Sequence, residues 1–214
     1  MCGLTAALLL CVAGAERADA RTVVRIPDAA VVYATPGGPP LTARGVPVTE
    51  HGSAWVVHRH GSWLAIPTIL RRGRRLGWIR RTPAYRLTRT RLLVRVDLSQ
   101  RRMRATRGGR PLMTAPVAIG APWSPSPTGP TSVSARIPTG PASGLSPRGY
   151  GPVVVALRLW QSASSPAFPG GGIMAFHGGR GAAAGTAGCF RMADADVMRL
   201  ARIVRAGTPV IIER

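Results

Sequence analysis

Two side chains in this sequence are suited to covalent chemistry, and they lie close together in the segment Ile173–Met192. His177 ends the apolar run Ile173-Met174-Ala175-Phe176, and Cys189 closes the small-residue loop Gly185-Thr186-Ala187-Gly188. A strand running into a Gly-rich turn presents its last side chain at the turn, so the His177 imidazole is available to a neighbour. A thiol near a helix N-terminus, beside an imidazole and Arg191, is expected to have its pKa lowered from ~8.5 toward a thiolate at neutral pH. The glycines let backbone N–H groups point toward a developing oxyanion. A nucleophile, a base and oxyanion donors together define acyl transfer through a thioester. That chemistry needs no cofactor. Arg191 also admits a purely structural role, bracing the loop.

A second constellation is weaker. His58 and His60 stand two apart on an expected strand and therefore share a face. Zinc takes three or four ligands, and only His51 is nearby in sequence. A surface pair is the better reading, and no metal site is expected. Cys189 with His177 lacks a third ligand in its Gly-rich loop.

The elements that must position Cys189 and His177 are mainly strands. Gly (26) and Pro (20) interrupt long helices, and the chain of 214 residues is long enough to bury a sizeable core. In residues 90–214, strands are expected at Leu92–Asp97, Arg102–Thr106, Leu112–Ile119, Thr131–Ile137, Val153–Leu159, Ile173–Phe176 and Val210–Ile212. One helix is expected, with Asp194 as its N-cap, Val197, Leu200, Ala201 and Val204 on one face, and Gly207-Thr208-Pro209 as its stop. Before it, residues 22–86 hold five short candidate strands, Thr22–Ile26, Ala30–Tyr33, Trp55–His58, Trp63–Ile66 and Gly77–Arg80, separated by turns such as Pro36-Gly37-Gly38-Pro39-Pro40. The phrases Gly61-Ser62-Trp63-Leu64 and Gly77-Trp78-Ile79 resemble bacterial SH3-like domains, which implies a small β-barrel.

At the start, the apolar run from Leu4 to Ala15 followed by Ala18-Asp19-Ala20 reads as a signal peptide over residues 1–20, too short for a membrane span. Export to the cell wall or a periplasm-like space is expected. Cys2 and Cys11 would leave with that segment, and Cys189 would remain as a lone thiol in an oxidising compartment, where it is a liability unless used. The alternative reading of Cys189 is a small buried hydrophobe.

The motifs resemble the YkuD-type L,D-transpeptidases, whose pattern is a strand ending in His-Gly, a variable loop, and Ser/Thr-His-Gly-Cys-x-Arg. The matching residues are His177-Gly178 and Thr186-Ala187-Gly188-Cys189-Phe190-Arg191. The hairpin VDLSQRRMRATRGGRPLMTAPVAIG, the turn Pro127-Thr128-Gly129 and the closing Gly207-Thr208-Pro209-Val210 extend the likeness over residues 90–214. An SH3-like module ahead of such a domain is similar to the layout of actinobacterial members. The resemblance implies a β-sandwich with one helix near the C-terminus. It also implies a role in peptidoglycan synthesis, with stem peptides as partners and 3→3 cross-links as products. By residue, it implies Cys189 as nucleophile, His177 as base, the Gly178 carbonyl holding the imidazole tautomer, and Gly188 and Cys189 N–H groups as oxyanion donors. Thr186 and Arg191 would support the loop or bind substrate, and Tyr150 would sit in a lid. The pattern's His is Ala187 here. That departure keeps open a non-catalytic wall-binding pseudoenzyme, and an L,D-carboxypeptidase would use the same residues.

The formal net charge is +21, and every one of the 29 basic residues is Arg. Residues 71–110 hold fifteen Arg against the single acid Asp97. Single-strand nucleic-acid binders add aromatic stacking platforms, and this window offers only Trp78 and Tyr85. Anionic wall polymers or a membrane surface are therefore the expected partners of the basic region, nucleic acid is not, and a monomer is expected.

Overall fold

The structure is a computed structural model describing residues 20–43, 46–47, 49–69, 76–161, 172–180 and 185–214; the expected signal peptide lies outside the described residues. The strands run β1 Arg21–Val31, β2 Thr42–Ala43, β3 Val46–Pro47, β4 Thr49–Trp55, β5 His58–His60, β6 Trp63–Pro67, β7 Leu76–Arg80 and β8 Arg86–Thr90. They continue as β9 Leu92–Asp97, β10 Arg102–Arg107, β11 Arg110–Pro116, β12 Gly129–Pro138, β13 Val153–Gln161, β14 Gly172–His177, β15 Phe190–Arg191 and β16 Pro209–Glu213. A short helix, α1 Pro147–Tyr150, precedes β13, and α2 Asp194–Ile203 follows β15.

Two buried apolar clusters organise these elements. The first, around Val24, Ile26, Val32, Leu64, Ile66 and Ile79, is built by the sheets β4-β1-β8 and β5-β6-β7. The second belongs to an eight-stranded sheet in the order β11-β10-β9-β16-β12-β13-β14-β15. The C-terminal strand β16 is parallel to β9 and antiparallel to β12, so it joins the opening hairpin to the strands that carry the site. The fold is mainly β, with one substantial helix near the C-terminus, as expected.

Several boundaries differ from expectation. The first two expected strands form the single strand β1, whose pairing with β4 shifts register between Ile26 and Ala30, next to Pro27. Proline has no N–H to give the ladder, so the strand passes through an irregularity there rather than ending. The strand expected to begin at Trp55 ends there. Residues 86–90, at the boundary of the two expected units and without an expected strand, form β8, which pairs with β1 from Arg21↔Thr90 to Arg25↔Arg86. Asp194 is not the N-cap of α2. Ala193 occupies that position with extended backbone, and the Asp194 carboxylate turns instead to the Gly179 N–H.

Strand β13 explains how the two clusters are locked together. It is buried almost throughout, since both of its faces are covered. Val153, Val155, Leu157 and Leu159 point into the second core. The alternate residue Arg158 faces the first unit, where its guanidinium pairs with Glu50 of β4. Arg158 also donates to the carbonyls of His51 and Ser53, while Thr68 Oγ1 donates to Glu50 Oε1 at 2.6 Å. Both charged residues are closed to water, at 5% exposure for Glu50 and 6% for Arg158. Removing one partner of such a pair strands a buried charge, which costs ~3–5 kcal/mol. Glu50→Gln should therefore lower unfolding stability by about that amount in denaturant titration, and Glu50→Gln combined with Arg158→Met should lose less than Arg158→Met alone. Equal losses would show that the pair is not coupled.

Candidate active site

The parallel pairing of β14 and β15 sets Phe176 against Phe190 and His177 against Arg191. The two Phe rings pack in the core with centroids 5.1 Å apart. Side chains alternate along strands, so His177, Arg191 and Cys189 share the opposite face. Backbone bonds hold the loop before Cys189. Thr186 N donates to Ile119 O (3.0 Å), Ala121 N donates to Thr186 O (2.9 Å), and Arg191 exchanges bonds with Ala118 at 3.0 and 2.7 Å. Gly188 adopts φ +115, which favours glycine, and a Cβ there would lie tightly, 3.2 Å from Gln161 Nε2 and Met174 Cε.

His177 Nδ1 lies 2.7 Å from the Gly178 carbonyl oxygen. A carbonyl only accepts, so Nδ1 carries the hydrogen and Nε2 is left with its lone pair. The imidazole is buried, and burial is the main cause holding its pKa below the ordinary 6.5; the Gly178 carbonyl opposes this, and the Arg191 charge adds to it. The Tyr150 ring meets the imidazole edge-on, with centroids 5.3 Å apart. Its backbone carbonyl accepts from Gly178 N at 3.0 Å, which ties α1 to the end of β14. Burial, then the Cys189 charge, raises the Tyr150 pKa.

Cys189 is partly buried beside a cavity of about 250 Å³, with Tyr150, Val154, Ala156, Ile173 and Ala187 among its walls. Its Sγ lies 3.9 Å from the Ile173 carbonyl oxygen. The expected thiolate is not found. Burial pushes the Cys189 thiol up to about 11, only partly opposed by a backbone bond at Ala175. The thiol is not at a helix N-terminus either, because β15 separates it from α2.

Other expected residues take definite places. The Gly188 N–H donates to Thr186 Oγ1 at 3.1 Å instead of standing free as an oxyanion donor. Thr186 is buried, and its hydroxyl donates to the Cys189 carbonyl at 2.6 Å, so it braces the loop rather than facing substrate. His58 and His60 are both exposed on β5. Four contributors were missed. Ser124 Oγ donates to Ala187 O (3.0 Å) and Ser126 Oγ to Gly188 O (2.6 Å), fixing the loop from outside. Gln161 lines the cavity and donates to the Pro125 carbonyl. Asp194 Oδ1 accepts from Gly179 N at 2.7 Å, bracing the turn after His177. The only sequence signal for any of these is that Ser124 and Ser126 sit just before Pro127-Thr128-Gly129.

Residues 91–212 match the YkuD family model, the L,D-transpeptidase catalytic domain, and the chain belongs to that family. No curated protein matches the chain significantly. Among solved structures, an L,D-transpeptidase from Mycobacterium smegmatis is 18% identical, with 74% of this chain and 80% of that one covered and a TM-score of 0.45. An Enterococcus faecium L,D-transpeptidase with a Cys-to-Ser substitution is 18% identical over 56% of this chain, at a TM-score of 0.40, and the match spans only 49% of its length. L,D-transpeptidase 3 from Mycobacterium tuberculosis, in complex with a faropenem-derived adduct, is 14% identical over 65% of this chain and 73% of that one, with a TM-score of 0.45.

The raised thiol pKa has a direct consequence. Alkylation by iodoacetamide consumes thiolate, so its rate at Cys189 should climb about tenfold per pH unit from neutrality toward pH 10, without an earlier plateau. A plateau near pH 7 would show an ion-paired thiolate instead.

Proposed function

We propose that this chain is a peptidoglycan L,D-transpeptidase that works through a thioacyl-enzyme on Cys189. The observation that carries this is the His177 Nδ1 contact with the Gly178 carbonyl at 2.7 Å. It leaves Nε2 as a proton acceptor on the sheet face that Cys189 also occupies, the part that Asp plays for the imidazole of a Ser triad. Both groups begin neutral. As a stem tetrapeptide enters, the proton passes from Sγ to His177 Nε2 while sulfur attacks the carbonyl of the third residue. The C–N bond to the terminal D-Ala then breaks, its nitrogen takes that proton, and a thioester remains. An amine of a second stem attacks the thioester, gives a proton to His177, and forms the new amide as Cys189 recovers its thiol. With a stem's third-residue side-chain amine as acceptor, the product is a 3→3 cross-link; water in its place would make the enzyme an L,D-carboxypeptidase.

The setting supports this reading. Tyr150 covers the imidazole, and Ala187 leaves room in the cavity beside the thiol. The apolar run from Leu4 to Ala15, with Ala18-Asp19-Ala20 behind it, supports export to the wall, and residues 22–86 would serve as an SH3-like module. One observation favours a second reading. The Gly188 N–H is occupied by Thr186 Oγ1 and the pattern's His is Ala187, as suits a wall-peptide binder without turnover.

A carbapenem distinguishes the two readings, because its strained acyl group tests the nucleophile without an acceptor. Intact mass should show one adduct on the folded wild-type chain and none on Cys189→Ala. His177→Ala should form the same adduct ~10²–10⁴ times more slowly, the range for loss of a general base. No adduct on folded wild-type protein would establish the binder reading, and an unchanged rate in His177→Ala would remove His177 from the mechanism.

A further inference from the structure

A cleft of about 1100 Å³ opens between the two units, on elements outside the Cys189 site. Six arginines line it: Arg89, Arg91, Arg107, Arg110, Arg202 and Arg205. They come from separated parts of the chain. Arg89 lies on β8 and Arg91 just after it, Arg107 and Arg110 flank the β10–β11 turn, and Arg202 and Arg205 lie at the end of α2 and in the loop beyond. Sequence clustering accounts for the first four, whereas the fold alone brings Arg202 and Arg205 to them. All six are exposed, no lining residue is acidic, and none of the six has an acidic partner among the described residues. At the base of the cleft Gly207, at φ +85, lets the last turn close onto β1, where a Cβ would stand 2.4 Å from Val23 Cγ1. The seam between the units is therefore shut beneath a basic floor.

Six guanidiniums around one concavity repel one another unless an anion lies among them, and their planar forks match phosphate oxygens. The volume lies just above the range for small-molecule sites, ~300–1,000 Å³, which favours a segment of a chain over a single ion. The lining contains no aromatic side chain on which bases could stack. Among the described residues, the large exposed apolar side chains Trp123, Ile173 and Met198 lie elsewhere, so none of them would anchor the cleft in a bilayer. We propose that this cleft binds a flexible, base-free phosphodiester polymer, of the anionic wall-polymer kind, and thereby holds the chain against its surroundings independently of the chemistry at Cys189.

Titration of the full chain with poly(glycerol phosphate) tests this, with a mixed-sequence single-stranded oligonucleotide and phosphatidylglycerol-containing vesicles as the other arms. Poly(glycerol phosphate) should bind with an affinity that falls linearly in log salt and should exceed both other probes at equal phosphate concentration. Arg107→Gln with Arg205→Gln should weaken it at least tenfold and lower the salt slope by about 1.4–1.8, at ~0.7–0.9 per phosphate contact. A second pair, Arg89→Gln with Arg202→Gln, should act alike, and acylation of Cys189 should stay unchanged in both. Wild-type affinity in both pairs, or oligonucleotide or vesicles binding as tightly as poly(glycerol phosphate), would overturn the proposal.

Discussion

The contact on which the two halves of the molecule depend is the buried pairing of Glu50 with Arg158. Taking two charges out of water costs several kcal/mol per ion, and only a complete set of partners offsets that cost. Here the set is Thr68 Oγ1, two β4 carbonyls and the two ions themselves. A network of this kind tolerates little misalignment, so it sets how the first unit sits on β13. That strand is also the neighbour of β14, which ends in His177. Val154 and Ala156, on the same side of β13 as Arg158, line the cavity beside Cys189. One strand thus holds the hydrophobic core on one face, and the interunit ion pair and the wall of the site on the other.

The site itself is built on neutrality. His177 is buried beside a cation and its pKa falls; Cys189 is partly buried against apolar walls and its pKa rises. Both shifts favour an uncharged thiol and an uncharged imidazole over a resting ion pair. Such a pair holds little thiolate at neutral pH, so it reacts slowly with small electrophiles, and a substrate carbonyl takes the sulfur's electrons as the proton moves. A cluster of six arginines lies apart from this centre, on the cleft between the units. Chemistry in a weakly polar pocket and attraction over a basic surface are separated in space.

Much of the larger unit was legible in its sequence because its signals are local. Leu92–Asp97, apolar at its start and alternating from Val94, forms a strand with those limits, and the helical spacing of Val197 and Leu200 marks the buried face of α2. His177 and Cys189 stood out as the one nucleophile and base with glycine around them. What could not be read depended on distant partners. Asp194 looked like a cap, but Gly179, fifteen residues earlier, takes its carboxylate. The thiol was expected to be acidic from its neighbours in sequence, whereas Ile173, Val154 and Ala156 decide its environment. Glu50 and Arg158 are 108 residues apart, and nothing local distinguishes Arg158 from the other arginines of a strongly basic chain.

The central claim is that Cys189 carries the acyl group of a stem peptide. It is tested most directly by mixing the protein with a stem tetrapeptide, quenching in acid, and mapping the protein by peptide mass. The account predicts that the peptide containing Cys189 gains the mass of the tetrapeptide less D-Ala, with one D-Ala released for each acyl group held, and that added acceptor amine discharges it. Release of D-Ala from folded protein with no acyl group ever trapped on Cys189, in the absence of acceptor, would contradict it.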